Sequence, residues 1–119
     1  MRNRLIVALL FGLVITPAFA TAPLTTEQQA LAMWVDAALF ATEKCPGVVL
    51  VQENIKANLD EAGVTAGQAL GEEWKNAMAF SDRHNREGFA ADPRGYCERM
   101  WRALGSDNPI AVKLPLLKR

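Results

Sequence analysis

The residues of this chain that could do chemistry are few: two cysteines, Cys45 and Cys97, one histidine, His84, two adjacent carboxylate pairs, Asp60-Glu61 and Glu72-Glu73, and three tryptophans, Trp34, Trp74 and Trp101. A catalytic thiol needs a depressed pKa, and a redox pair usually shows C-x-x-C spacing; neither cysteine has a histidine beside it or a second cysteine close in sequence. His84 lies in the polar run Ser81-Asp82-Arg83-His84-Asn85-Arg86-Glu87. On a helix Asp82 points round from it, and Glu87 at i+3 is the one carboxylate in reach. A metal or general-base site needs more convergent groups than that, whereas a cation near a helix C-terminus is favourable on dipole grounds alone. Neighbouring carboxylates on a helix diverge by about 100°, so neither acidic pair reads as an acid and base working together. The sequence has no G-x-S-x-G, phosphate-binding loop, zinc motif or dinucleotide fingerprint. No catalytic residue, metal or cofactor is therefore expected, and the chain does not read as an enzyme.

The first segment reads as an address. Arg2 and Arg4 precede an unbroken apolar stretch over 5–15, and Ala18-Phe19-Ala20 places small residues where signal peptidase needs them. Eleven helical residues rise about 16 Å, too short for a hydrocarbon core of about 30 Å. Residues 1–20 are accordingly expected to be a signal peptide cleaved after Ala20. That puts the mature chain in the periplasm or outside the cell, with no stable membrane insertion. Without those twenty of 119 residues, 99 remain as a single helical domain over 21–119, and loss of two arginines leaves 11 basic against 13 acidic groups. Near-neutral charge offers no electrostatic footprint for nucleic acid, and a chain half apolar is not disordered.

Outside the cytoplasm thiols are oxidised, so Cys45 and Cys97 are expected to form a structural disulfide. Closing 52 residues should stabilise a domain of this size by about 4 kcal/mol. This leaves intermolecular pairing as the alternative.

The elements follow from periodicity and caps. Thr25 or Thr26, with Gln28 or Gln29 three residues on, opens a first helix that runs to Lys44 and is ended by Cys45-Pro46-Gly47. Its stripe is Leu31, Trp34, Ala38 and Ala41, widened by Met33, Ala37 and Phe40. Ile55, Leu59 and Ala62 continue the spacing of Val48 and Val51, which predicts a second helix over 49–62 capped by Gly63. Thr65 with Gln68 opens a third over 66–87, with Leu70, Trp74, Ala77 or Met78, and Ser81 on one face and Gly88 as its stop. Gly67 and Gly71, four apart, weaken its first turns, which reads either as a frayed or late start or as a close backbone approach to a neighbouring helix. Asp92-Pro93 opens a fourth that ends at Leu104 before Gly105, with Tyr96, Cys97, Met100, Trp101 and Leu104 facing inward. The fold class is an all-α bundle of about four helices, with one disulfide and an extended C-terminal tail over 105–119.

Trp34, Trp74 and Trp101 fall on the apolar stripes of three different helices, either as core anchors or as an aromatic cluster around a ligand between helices. In the tail, Pro109 and Pro115 break any helix, and Ile110, Val112, Leu114, Leu116 and Leu117 alternate with basic residues. Such a tail either covers an apolar groove of its own domain or docks on a partner.

Cys45-Pro46-Gly47, Asp92-Pro93, Tyr96-Cys97-Glu98 and the basic, leucine-containing end together resemble small exported bacterial helical proteins with two cysteines. The resemblance implies the helical fold and export, and it carries over no catalytic residue. The expected function is non-enzymatic: contact with a protein partner, as an inhibitor, immunity protein or adaptor, with a homodimer among the assemblies left open. The alternatives are an envelope or acid-stress chaperone, whose periplasmic representatives are similar in size, helix content and single disulfide, and a small-ligand carrier using the tryptophans.

Overall fold

Thr25 opens the first helix by accepting a hydrogen bond from the Gln28 amide at 3.0 Å, while the Gln28 side chain accepts from the Thr25 amide at 3.0 Å. The computed structural model, which describes residues 22–119, shows this capping box at the start of α1 (Thr26–Lys44). The expected signal peptide lies outside the described residues. Behind α1 come β1 (Val49–Leu50), α2 (Gln52–Glu61), α3 (Ala66–Ala69), α4 (Glu72–Ala91), α5 (Pro93–Leu104) and β2 (Leu117–Lys118).

α1 is the central element. Its row Leu31, Val35, Ala38 and Ala41 is buried together with Tyr96 and Leu104 of α5 and with Leu116 and Leu117 of the tail. A second, smaller cluster joins Ala32 to Trp74 and Ala77 of α4. Small residues at 32, 37, 38 and 41 let α4 and α5 approach α1 closely, and Phe40, Phe89 and Tyr96 fill their junction edge to face, with centroids 5.6–5.9 Å apart. Cys45 and Cys97 form a disulfide with Cα atoms 5.6 Å apart, tying the end of α1 to α5.

Three boundaries differ from the sequence expectation. The second helix begins at Gln52, because Val49 and Leu50 pair antiparallel with Lys118 and Leu117 and the Val51 amide donates to the Leu116 carbonyl at 2.9 Å. Short β-branched runs take strand geometry when an edge is offered, and here the offer comes from residues nearly seventy positions away. The third helix is two pieces: Thr65 and Gln68 cap a single turn, α3, and Gly71 caps the long α4, as the weak glycines at 67 and 71 anticipate. α4 then runs through Gly88 to Ala91 and stops where Asp92 caps α5. Gly88 is an interior position, where an added Cβ would lie 3.5 Å from the Tyr96 ring.

α2 ends as its glycine predicts. Gly63 adopts φ +71°, and Gly63 and Val64 donate to the carbonyls of Asp60 and Leu59 at 3.1 and 3.0 Å, closing a Schellman turn. Asn58, buried on α2, then straps down the tail: its Nδ2 donates to the Leu114 carbonyl at 3.0 Å, and its Oδ1 accepts from the Lys113 and Leu114 amides. No described helix is long and apolar enough to cross a membrane.

Candidate functional site

Trp34 stands at the boundary of two adjoining clefts. The first, of about 300 Å³, lies between α1, α2 and the tail and is lined by Glu27, Ala30, Leu31, Trp34, Asn58, Glu61, Ala62 and residues 110–113. The second, of about 380 Å³, lies between α1, α4 and α5 and is lined by Ala30, Met33, Trp34, Ala37, Ser81, His84, Asn85 and Met100. Residues 30, 33, 34 and 37 recur at helical spacing, so one face of α1 floors this groove, and Ala30 and Trp34 belong to both clefts.

The polar end of the second groove is built from one chain of hydrogen bonds. Ser81 Oγ donates to the Met33 carbonyl at 2.9 Å; Asn85 Nδ2 donates to Ser81 Oγ at 3.1 Å and to Asp36 Oδ2 at 3.2 Å. Ser81 and Asn85 are buried, and the half-buried Asp36 carboxyl is pushed above its usual value, mainly by desolvation. Trp74, Ala77, Ser81 and Asn85 form one inward row at spacings of three and four; Asn85 extends the expected face by one position because the helix continues past Gly88 to Ala91.

The other sequence candidates disperse. Trp74 is core, at 6% exposure, against Ala32 and Ala77. Trp101 lies against Gly105, where any Cβ would collide with its ring, and receives the Arg119 guanidinium 4.2 Å from its centroid, so it holds down the end of the tail. Trp34 is the only one of the three tryptophans lining either cleft. Leu116 and Leu117 are buried in the protein's own core, Val112 is half-buried, and Ile110 and Leu114 remain exposed. The tail thus covers its own domain, and only Ile110 and Leu114 of its apolar residues are left facing outward to a degree a partner could use.

His84 is exposed on the middle of α4, edge-on to Phe80 at 4.3 Å, while Asp82 pairs with Arg86 at 2.8 Å. Its expected place near a helix end is corrected by the extension of α4 to Ala91. The acidic pairs diverge: Asp60 and Glu61 reach Lys56 and Lys113, each at 3.0 Å, and Glu73 accepts from the Leu24 amide at 2.9 Å while Glu72 faces Lys75 at 4.0 Å. Among the described residues no three His, Cys, Asp or Glu side chains converge as a metal site would need.

Fold and clefts together define a disulfide-stapled helical bundle with a two-cleft apolar face. Compared with known protein families, curated proteins and solved structures, the chain matches none.

Proposed function

We propose that this chain is an exported, non-enzymatic protein that acts by contact with another protein, as an inhibitor, immunity protein or adaptor. The observation that carries the reading is the pair of clefts meeting at Trp34. It extends from His84, beside the exposed Phe80, past Met33 and Trp34 to Ile110, which is 80% exposed. An apolar face of this kind, rimmed by Glu27, Glu61 and Lys113, has the form of an interaction surface rather than of a reaction site. The disulfide supports a location where thiols are oxidised, and the leader sequence supports the periplasm or the exterior.

The test is site-specific photo-crosslinking in the intact envelope. A crosslinking residue at His84 and, separately, at Ile110 is expected to trap the same single partner, while one at Leu39, exposed but outside both clefts, traps none. Trp34→Ala is expected to weaken both crosslinks. Equal capture from Leu39, or no capture from either cleft, overturns the reading.

A further inference from the structure

Charge is divided unevenly along the chain. Residues 22–92 carry five basic side chains against eleven acidic ones, and residues 93–119 carry six basic against two acidic. An asymmetry of this kind is a signature of contact with a charged surface. Local pairing does not level it. Lys56, Lys75, Arg86 and Lys113 each lie within 4.0 Å of a carboxylate, whereas Arg94, Arg99, Arg102 and Lys118 are exposed and, among the described residues, make no ion pair or side-chain hydrogen bond.

The fold gathers these bases on the outward side of α5. Arg94, Glu98 and Arg102 follow one another at four-residue spacing, so the two arginines stand about 12 Å apart along the helix with the acid between them. Glu98 is in reach of either by spacing, yet the guanidinium it faces is that of Arg119, at 4.0 Å. The tail brings Arg119 there: the Leu116 amide donates to the Leu104 carbonyl at 2.7 Å, residues 116–119 run back along α5, and the guanidinium settles 4.2 Å from the centroid of the Trp101 ring. Lys118 is exposed beside it, while Leu117 turns inward. Arg99 flanks the row, leaning over α4 at 3.9 Å from where a Cβ on Gly88 would lie. Met100, which lines the groove, is turned about 160° from Arg102, so the basic side and the clefts are separate surfaces.

Neither α5 nor residues 117–119 expose a large apolar side chain. Protein interfaces are built round a desolvated aromatic or apolar centre depleted of charge. A bilayer rich in anionic headgroups asks only for basic side chains close to its plane, each strengthening attachment about fivefold. We propose that the outward side of α5, with Lys118 and Arg119, docks the protein on the surface of an anionic phospholipid bilayer. Tyr96 and Leu104, the inward row of α5, are buried in the protein's own core, so the helix does not insert and the attachment is electrostatic and reversible. The docking is independent of the clefts around Trp34.

The test is co-sedimentation of the mature protein with vesicles of phosphatidylcholine alone and of phosphatidylcholine mixed with phosphatidylglycerol. Attachment is expected to the mixed vesicles only, and to weaken at least about tenfold between about 0.1 M and about 1 M salt, as the screening length falls from about 10 Å to about 3 Å. Arg94→Glu combined with Arg102→Glu is expected to weaken it at least about twentyfold. Lys56→Glu combined with Lys75→Glu makes the same change of net charge on α2 and α4 and is expected to leave attachment within about twofold, since neither residue belongs to the basic side. The lipid and salt comparisons on the unaltered protein stand even if a variant does not fold. Equal attachment to phosphatidylcholine alone, indifference to salt, equal weakening by the two charge-reversed pairs, or no attachment to either vesicle overturns the proposal. Retention on immobilised polyglutamate without attachment to vesicles also overturns it, and assigns the basic side to an acidic protein instead.

Discussion

Asp36 and Tyr96 sit side by side in function if not in sequence, since both bring a polar group to the junction of α1, α4 and α5. Burial raises the Asp36 carboxyl above 3.8; the hydrogen bond from Asn85 opposes the rise and the Asp82 carboxylate adds to it. The folded state therefore holds this proton more tightly than the unfolded chain does. The charged carboxylate costs stability: the cost is absent below pH 3.8, sets in as pH rises through the folded value, and is complete above it. Asp36→Asn keeps an oxygen to accept from Asn85 and is expected to exceed the wild type in urea melts at neutral pH, by less than about 1 kcal/mol because solvent screens a half-exposed group. The advantage is expected to vanish as the melts are repeated towards pH 3.8. Tyr96 supplies a ring to the aromatic junction, but its buried hydroxyl has no partner among the described residues, and burial pushes its ionisation upward. Tyr96→Phe keeps the ring and removes the orphan group, so a gain of about 1 kcal/mol is expected in thermal melts. A clear loss would show that the hydroxyl is satisfied in solution.

At the scale of elements, the two capping boxes do more than start helices. Gln28 and Gln68 are both buried, and Gln68 Nε2 donates to Gln28 Oε1 at 3.0 Å while Gln28 Nε2 donates to the Ala62 carbonyl at 3.0 Å. Each box was visible in the sequence as Thr-x-x-Gln; that the two glutamines lock to each other across forty residues was not, since a cap signal is local and its outward partner is not. A double-mutant cycle on Gln28→Ala and Gln68→Ala is expected to give a coupling of about 1 kcal/mol, where independent caps would simply add. Asn58 plays the corresponding part for the tail. Its side chain is the anchor for the backbone of residues 113 and 114, so Asn58→Ala is expected to cost about 2 kcal/mol and to speed hydrogen exchange at the Lys113 and Leu114 amides. Unchanged exchange at those amides would mean that Leu116 and Leu117 alone hold the tail in place.

For the whole molecule the disulfide is the largest single constraint. It closes 52 residues and links the central helix to the last one, so its loss in a Cys45→Ala, Cys97→Ala variant is expected to lower stability by about 4 kcal/mol in urea melts. In a small domain that is most of the margin, and the reduced chain is expected to be close to unfolding at physiological temperature. The tail adds the second long-range tie: the Arg119 guanidinium on Trp101 and the β1–β2 pairing join the end of the chain to its middle. With α1 inside and α2, α4, α5 and the tail around it, the two clefts are what remains uncovered around Trp34.

Local chemistry was legible without coordinates. Thr25, Thr65 and Asp92 announce helix starts and Gly63 a helix end, because each acts within a few residues of itself; the helical class and the cysteine pair follow from spacing and from there being only two cysteines. What tertiary structure decided was every feature made by residues distant in the chain. Val49 and Leu50 leave the helix because β2 offers them an edge, Trp34, Trp74 and Trp101 separate because their helices face different neighbours, and Leu116 and Leu117 turn inward because α1 and α5 leave a space they fill. The groove itself belongs to this second group. Met33, Asn85 and Met100 share no motif, and they become one surface only when three helices pack side by side.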